Sequence, residues 1–270
     1  MQDAPNTFDM PLSGLETREE WLEKVAEITD EDGYVEPLGA RHTAIFVEDK
    51  PTLLVSFETH AGIAALSEDA QPLGWEMTKA LGWSSLCIVA DGDTWFRDPA
   101  VYAYFDRLVD DGFFEEFDQV IFYGAGPCGY AAAAFSVASP GARVVALAPQ
   151  ASLDPRVAEW DPRFTKMRRT AFDDRYGYAP DMLDAAERAF VIYDPAIEVD
   201  AMHAALFTRP NVTKFRMRFM GERLDESLMR MQILLRVLAQ VSTGKLTRQT
   251  LAKLYRARRN DPSYQFNLLR

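Results

Sequence analysis

The chain has 270 residues, of which 48% are apolar, and its formal net charge is −12. This length suits one large domain, and the negative charge argues against binding to nucleic acid, because phosphates require a positive protein surface. No run of about 18 or more apolar residues is present, so a membrane-spanning helix is not expected.

The first segment, residues 1–36, is strongly acidic. It contains eleven acidic residues and two basic ones. Thr17 and Glu20 form a T-x-x-E capping box, which predicts a helix over Arg18–Ile28. The segment has neither the basic start nor the apolar stretch of a secretion signal, and two cysteines do not make a disulfide scaffold. We therefore expect a cytoplasmic protein.

Short apolar runs bounded by turn residues predict seven β-strands. The turn Glu48–Pro51 follows the first of them, so the first two strands are expected to form a hairpin. The predicted strands are His42–Val47, Thr52–Phe57, Ser85–Ala90, Gln119–Tyr123, Ala142–Leu147, Phe190–Tyr193 and Val212–Met217.

Helical patterns alternate with the later strands. Repeated strand–helix units favour a mostly parallel, doubly wound sheet with helices on both faces, so we expect residues 1–270 to form one α/β domain. The predicted helices are Gly74–Leu81, Pro99–Asp110, Pro127–Ala138, Asp181–Arg188, Asp200–Phe207, Asp225–Ser242 and Thr247–Arg259.

Two segments depart from this alternation. Residues 149–180 are polar and rich in proline and arginine, and we expect them to form a lid-like insertion over the carboxyl edge of the sheet. Residues 243–270 contain seven basic residues and one acidic residue, which predicts a basic C-terminal helix. The acidic and basic ends are either two solvated helix faces or complementary docking surfaces.

Residues 120–134 read as a buried strand, a glycine-rich turn and a helix of small residues. In α/β-hydrolases such a turn is the nucleophile elbow, G-x-S-x-G. The run Tyr123–Tyr130, Y-G-A-G-P-C-G-Y, followed by Ala148–Gln150, resembles one α/β-hydrolase-like group whose elbow reads Y-G-S-S-M-G-G-Y. The resemblance implies an α/β-hydrolase-like fold. Asp91 with Trp95, and the two D-P-R triplets at Asp154 and Asp161, also fit this group.

Three departures from the hydrolase pattern agree with one another. The nucleophile aligns with Gly126, between Gly124 and Gly129, so there is no hydroxyl to attack a substrate. The next residue, Pro127, lacks the N–H that would stabilise an oxyanion. Glu222 stands where the resemblance places the catalytic histidine. Serine-hydrolase chemistry is therefore not expected.

Cys128 is the alternative nucleophile. Sliding the elbow to 126–130 places it at the centre, with Gly129 as the oxyanion donor, and a helix N-terminus lowers a thiol pKa. The slide also places Tyr130 where a small residue normally allows close packing. The other interpretation of Cys128 is an inert, packed thiol.

Other candidates surround the same region. The resemblance makes Asp194, Asp200 and His203 a triad-acid region, although a capped helix with a half-buried histidine explains them equally. The loop after the second strand is expected to line a pocket. The residues of this loop are Glu58, Thr59 and His60, and Tyr130 is expected to line the same pocket.

No zinc spacing, P-loop or dinucleotide fingerprint is present, so no metal and no cofactor are expected. The chain also resembles proteins named phosphoadenosine phosphosulfate reductase, in the D-G-x-T-W-F-R-D-P run at 91–99 and in G-A-G-x-C-G-Y at 124–130. The S-G-G-x-D-S and E-C-G-x-H motifs of such reductases are absent from the sequence, so reductase chemistry is not expected.

Three hypotheses remain open. The first is a catalytically degenerate α/β-hydrolase-like protein that acts in binding or assembly. The second is a hydrolase or acyltransferase using Cys128, or an acid pair of Glu222 with Asp194 or Asp200. The third is an interaction protein that binds an unidentified protein partner, or forms a homo-oligomer, through its acidic and basic ends.

Overall fold

The computed structural model describes Phe8 and residues 10–15, 17–49 and 51–269, with the side chain of Arg168 excepted. Among these residues, no helix combines the length and the apolar character needed to cross a bilayer. Five charged residues of the segments analysed above lie outside the described residues. They are Asp3, Asp9 and Glu16 of the acidic segment, Lys50 of the turn after the first predicted strand, and Arg270 of the basic segment.

One sheet organises the described residues, with eight strands in the order β1-β2-β4-β3-β5-β6-β7-β8. β2 is antiparallel to both of its neighbours, and the other adjacent pairs are parallel. All seven predicted strands are confirmed within two residues at each end. The strands are β1 Gly33–Leu38, β2 His42–Val47, β3 Thr52–Thr59, β4 Ser84–Ala90, β5 Gln119–Ala125, β6 Arg143–Leu147, β7 Arg188–Tyr193 and β8 Val212–Arg216.

The hairpin expected between His42–Val47 and Thr52–Phe57 is wrong. β2 pairs instead with β1, in a register from Gly33 opposite Val47 to Leu38 opposite His42, and on its other side with β4. β3 pairs with β4 and β5, so β4 lies between β2 and β3. The turn after β2 therefore reverses the chain without joining adjacent strands.

Twelve α-helices flank the sheet in the described residues. They are α1 Arg18–Thr29, α2 His60–Leu66, α3 Leu73–Leu81, α4 Pro99–Asp110, α5 Pro127–Phe135, α6 Pro155–Ala158, α7 Ala179–Met182, α8 Glu198–Leu206, α9 Leu224–Arg230, α10 Leu234–Ser242, α11 Arg248–Leu254 and α12 Pro262–Leu269.

Four predicted helices are shorter than expected, and one of them, over Pro127–Ala138, ends as an α-helix at Phe135 and finishes as a 3-10 turn. The helix over Asp225–Ser242 is divided into α9 and α10, because Gln232 between them has a positive φ of 58°. The helix over Asp181–Arg188 is reduced to α7 and one short 3-10 turn, since β7 already begins at Arg188. The C-terminal helix ends at Leu254 and continues as a 3-10 segment, after which α12 starts at Pro262.

Apolar side chains fill both faces of the sheet. On one face, α5 packs against β3, β5 and β6, and its Ala131–Ala134 run is fully buried, which lets the helix approach the strands closely. On the other face, α10 packs against β5 and β6 through Leu234, Val237 and Leu238.

The acidic and basic helices lie at opposite edges of the sheet. The capping box of Thr17 and Glu20 is present at the start of α1, and α1 packs against β1 and β2. α11 packs against β8, the last strand at the other edge. Within the described residues, α1 and α11 therefore do not dock on each other in one molecule.

Residues 149–180 pack as part of the core. Phe172 and Tyr176 are buried in the same apolar cluster as α5, and the Tyr130 hydroxyl donates a hydrogen bond to the Tyr176 carbonyl. The Arg97 guanidinium donates to the carbonyls of Ala171 and Arg175. These contacts hold the segment against α5 and the loop after β4.

Candidate functional site

The chain turns sharply between β5 and α5 at Gly126. This residue has φ 57° and ψ −122°. Such a conformation costs a residue with a side chain about 1–3 kcal/mol, whereas glycine adopts it readily. A β-carbon built on Gly126 would have no heavy atom within 4 Å. Gly126 is therefore the apex of an elbow, and a side chain there would project into open space.

The flanking glycines allow the strand and the helix to approach each other. A β-carbon on Gly124 would lie 2.1 Å from the carbonyl oxygen of Cys128, which is shorter than any real contact. A β-carbon on Gly129 would lie 3.0 Å from the carbonyl oxygen of Leu147. The elbow backbone can close only because both positions lack a side chain.

Neither backbone nitrogen at the apex can donate towards a substrate. Pro127 is the first residue of α5 and has no N–H. The N–H of Gly126 donates to the Leu147 carbonyl at 2.8 Å. An oxyanion therefore cannot use the donor that hydrolases take from the residue after the nucleophile.

A cavity of about 390 Å³ opens at the elbow. It is bordered by the end of β3, by α2, by the elbow and by the residues that lead into α9. The lining residues are Phe57, Glu58, Thr59, Ala61, Gly62, Ala65, Leu66, Asp93, Tyr123, Ala125, Gly126, Pro127, Cys128, Leu147, Ala148, Glu222, Arg223, Leu224 and Asp225. No residue of 149–180 is in this lining, so the described part of that segment does not form the expected lid.

Glu58 is the most buried carboxylate of this cavity, with 5% of its surface exposed. Its Oε1 accepts hydrogen bonds from the Ser56 hydroxyl at 2.7 Å and the Cys87 thiol at 3.3 Å. The Leu73 N–H donates to both carboxylate oxygens at 3.2 Å. Burial raises the pKa of Glu58, although these hydrogen bonds oppose the shift.

Cys128 lines the cavity and is 8% exposed. Burial raises its pKa well above the usual range, and the charges of Glu58 and Asp225 raise the pKa further. A nucleophilic thiol needs the opposite shift, because the thiolate is the reactive form. The surroundings of Cys128 therefore favour the neutral thiol.

The structure separates the residues expected to line a pocket. Glu58 and Thr59 line the cavity, and the Thr59 hydroxyl caps α2 by accepting from the Gly62 N–H at 3.0 Å. The His60 ring instead packs edge-on against Trp21, with 5.2 Å between ring centroids. Tyr130 is directed to residues 149–180, as described above, and neither His60 nor Tyr130 is in the lining.

Gly221 connects Asp194 with Glu222. Asp194 is buried and accepts from the N–H of Gly221 at 2.8 Å and from the N–H of Ala196 at 2.8 Å. Glu222 follows Gly221 and lines the cavity with an exposed side chain. Asp194 thus holds the backbone of the loop that presents Glu222, and Asp194 itself is not in the lining.

His203 belongs to a different network, in which His203, Asp161 and Asp200 are buried and Arg163 is partly exposed. Its Nε2 lies 3.0 Å from Asp161 Oδ2, and its Nδ1 accepts from the Ala151 N–H at 3.2 Å. Arg163 bonds both Asp161, at 2.8 Å, and Asp200, at 2.7 Å. This network fastens residues 149–180 to α8. The expected grouping of Asp194, Asp200 and His203 is therefore corrected, since Asp194 bonds a separate loop.

Burial alone would raise the pKa of Asp161, but hydrogen bonds from His203 and Arg163 outweigh it and hold that pKa below its usual range. Burial raises the pKa of Asp200, and the bond from Arg163 opposes the shift. The network therefore pairs the Arg163 guanidinium with two carboxylates, one of which also contacts the His203 ring. Its position and its pairing are those of a structural clamp.

Sequence reasoning missed four polar or charged lining residues: Asp93, Tyr123, Arg223 and Asp225. Asp93 lies in the loop after β4, and Asp225 lies in the first turn of α9. These two positions were the signals in the sequence that could have indicated lining residues. Among the described residues, no group of three or more His, Cys, Asp or Glu side chains is arranged to hold a metal ion.

Solved structures with the same architecture are hydrolases. A candidate thioesterase from Silicibacter sp. superposes with a TM-score of 0.50 at 11% identity, over 83% of this chain and 94% of that one. Carboxyl esterase 2 from Tuber melanosporum gives 0.48 at 12% identity, over 83% of each chain. An esterase from the archaeon Pyrobaculum calidifontis gives 0.48 at 14% identity, over 87% and 92%.

The sheet and the superposition on the candidate thioesterase from Silicibacter sp. show an α/β-hydrolase fold, so the fold expected from the elbow motif is confirmed. At 11% identity to that structure the protein is a divergent representative of the fold. No protein-family model matches the sequence. No curated protein matches it either.

Proposed function

We propose that the protein is a catalytically degenerate α/β-hydrolase that uses its elbow cavity for binding. The observation that carries the proposal is the elbow itself, which keeps a positive φ at Gly126 beside an open cavity but has no side chain at the apex. Pro127 removes the oxyanion donor, and Glu222 stands where the resemblance places the catalytic histidine.

Ester hydrolysis tests this proposal. Purified protein at high concentration is incubated with p-nitrophenyl and thioester substrates of increasing acyl length. We expect release no faster than in buffer. The variant Ala65→Trp fills the cavity from the exposed face of α2. Hydrolysis by wild type that is faster than in buffer and is lost in this variant would disprove the proposal.

A Cys128 enzyme is the rival within the same cavity, and its supporting observation is that Cys128 lines the cavity. Iodoacetamide labelling followed by mass spectrometry separates the two. We expect Cys128 to stay unlabelled until the protein is denatured, because burial keeps its thiol neutral. Rapid labelling of the native protein that increases across neutral pH would favour the thiol enzyme.

A second candidate function is self-assembly, and the observation that favours it is the placement of α1 and α11 at opposite edges of the sheet. Opposite charges that cannot meet within one molecule can meet between two copies, head to tail. Light scattering over a range of salt concentrations tests it. We expect a mass above the monomer at low salt that falls as salt rises, and a monomer mass throughout would exclude it.

A further inference from the structure

We propose that the elbow cavity binds a small protonated amine that carries an apolar body. The inference rests on the proposed function, because a cavity without hydrolytic groups can retain a ligand without transforming it. Three features of the cavity lead to this ligand class: an excess of carboxylates, a buried hydroxyl without a partner, and an apolar lining.

Carboxylates dominate the charge of the cavity. Its lining holds four of them and a single guanidinium, that of Arg223, so the formal charge of the lining is −3. Arg223 is already paired with Glu226 at 2.5 Å. A cationic ligand is attracted by this charge and an anionic one is repelled. The four carboxylates belong to Glu58, Asp93, Glu222 and Asp225.

Among the described residues, no cation is one of the main influences on the Glu58 carboxylate. Its surroundings supply hydrogen bonds from Ser56, Cys87 and Leu73, and the charged group that acts on it is another acid, Asp225. A buried carboxylate without a counterion is costly, and that cost is reduced when a cation approaches. A bound ammonium group would provide the missing positive charge.

The Tyr123 hydroxyl points to the same ligand independently of the charges. Tyr123 lines the cavity and is 2% exposed, and its Oη has no hydrogen-bond partner among the described residues. Asp225, Glu58 and Cys128 lie close enough to influence this hydroxyl, and all three line the cavity together with Tyr123. An ammonium N–H can donate to this oxygen, which a quaternary cation cannot do.

The remaining lining accommodates an apolar body. Phe57, Leu66, Leu147 and Leu224 contribute carbon surface around the charged groups. The volume of about 390 Å³ falls within the range of about 300–1,000 Å³ that is typical of small-molecule sites. An aryl or alkyl amine therefore fits the cavity better than a bare ion.

Isothermal titration calorimetry with three ligands of one shape tests the proposal. The ligands are 2-phenylethylamine, its neutral analogue 2-phenylethanol and the anion 3-phenylpropionate. We expect saturable binding of the amine and at least about tenfold weaker binding of the other two. Equal or tighter binding of the anion, or no binding of the amine, would overturn the proposal.

Two variants locate the amine in the cavity. Asp225→Asn is expected to weaken binding about fivefold or more, because it removes a cavity charge. Asp184→Asn makes the same change in net charge at an exposed residue that pairs with Arg209, and it should leave the affinity unchanged. Equal effects of the two variants would contradict a site at the elbow.

Tyr123→Phe separates a binding hydroxyl from a structural one. It should weaken amine binding without lowering the melting temperature, since the hydroxyl has no partner to lose. The matched control is Tyr104→Phe, whose hydroxyl is equally buried but bonds Tyr34 at 2.8 Å. Tyr104→Phe should lower the melting temperature and leave binding intact. Unchanged amine affinity in Tyr123→Phe would contradict the assignment.

The two proposals fail separately. If the amine does not bind and wild type remains inactive towards esters, the ligand class is wrong and the degenerate hydrolase stands. If wild type hydrolyses esters in the cavity, the proposed function is wrong whatever the calorimetry shows.

Discussion

At Gly126 the backbone retains the turn of a nucleophile elbow, while the residue itself contributes no reactive group. In a serine enzyme this conformation is strained, and the strain is part of how the hydroxyl is presented. Glycine relieves the strain, and Pro127 starts α5 with the φ angle that a helix requires. The two residues together therefore stabilise the turn and remove its chemistry.

Gly126→Ser tests whether the hydroxyl alone would restore activity. We expect a folded protein, because the position faces open space, with a free energy of unfolding lower by about 1–3 kcal/mol. A fluorophosphonate probe should not label it, since Pro127 supplies no oxyanion donor and Glu222 replaces the histidine that would activate the hydroxyl. Gly126→Ala, with the same strain and no hydroxyl, is the control, and labelling of the serine variant alone would contradict this expectation.

Glu58 makes stability depend on pH with a defined sign. Its folded-state pKa is raised by burial, so the folded protein holds a proton to higher pH than the unfolded chain does. The stabilisation is therefore complete below the usual carboxyl pKa and is lost as pH rises through the raised pKa. Asp225 is the acid that faces Glu58, and its pKa is raised by burial as well.

Glu58→Gln should reduce this loss of stability. Chemical denaturation from about pH 4 to about pH 8 should show a smaller decline in the free energy of unfolding than in wild type. At the alkaline end the variant should have the larger free energy of unfolding, because the wild-type carboxylate is charged and buried there. Parallel curves for the two proteins would show that Glu58 does not titrate in this range.

Among the elements, β1 and the position of β4 are two parts of the fold that the sequence did not predict. The run Gly33–Leu38 contains Glu36 and Pro37, which are uncommon in strands, and proline is tolerated here because β1 is an edge strand. The insertion of β4 between β2 and β3 depends on pairing between distant residues, which a local pattern does not record.

The elbow was predictable because its signal is local. Gly124, Gly126 and Gly129 lie within six residues and their spacing alone indicates the strand–turn–helix. The charged border of the cavity was not predictable in the same way. Asp93 and Asp225 come from the ends of distant elements, and only the order of the strands brings them to the same cavity.

The buried network around His203 connects two elements, residues 149–180 and α8. His203→Ala should lower the free energy of unfolding by about 1–3 kcal/mol, because the Ala151 N–H loses its partner and the buried Asp161 carboxylate loses one of its hydrogen bonds. Hydrogen exchange should accelerate over 151–163, and amine binding should not change. A catalytic role for His203 would instead give a stable variant with altered cavity function.

His60→Ala is the matched control for that variant. The His60 ring is only partly buried and packs edge-on against Trp21, far from the network of Asp161. We expect a smaller loss of stability and no change in exchange over 151–163. Comparable exchange in both variants would show that the network does not hold the segment.

On the scale of the whole molecule, the sheet separates the charged ends. α1 covers the β1–β2 edge with an acidic surface, and α11 with the following segment presents exposed basic residues beside β8. Lys253 and Arg256 lie one turn apart on that basic surface. A head-to-tail contact would join two different surfaces, the α1 edge of one copy and the α11 edge of the next. Copies would then add in an open chain unless the rotation between successive copies closes a ring.

Reversing the charge of the basic surface should abolish association. Lys253→Glu with Arg256→Glu is expected to give a monomer at low salt, measured by light scattering, because α1 would then meet a like charge. Lys166→Glu with Arg169→Glu makes the same change in net charge at exposed residues elsewhere and should leave the mass as in wild type. Equal dissociation by both variants would point to net charge instead of a specific surface.

The same separation gives the molecule a permanent electric dipole that runs across its strands, from the β1 edge to the β8 edge. An anion-exchange bead should therefore hold the protein by the α1 edge, so the immobilised molecules would share one orientation. Near an acidic polymer the dipole would turn the other way, and the protein would approach with α11 leading despite a net charge of −12.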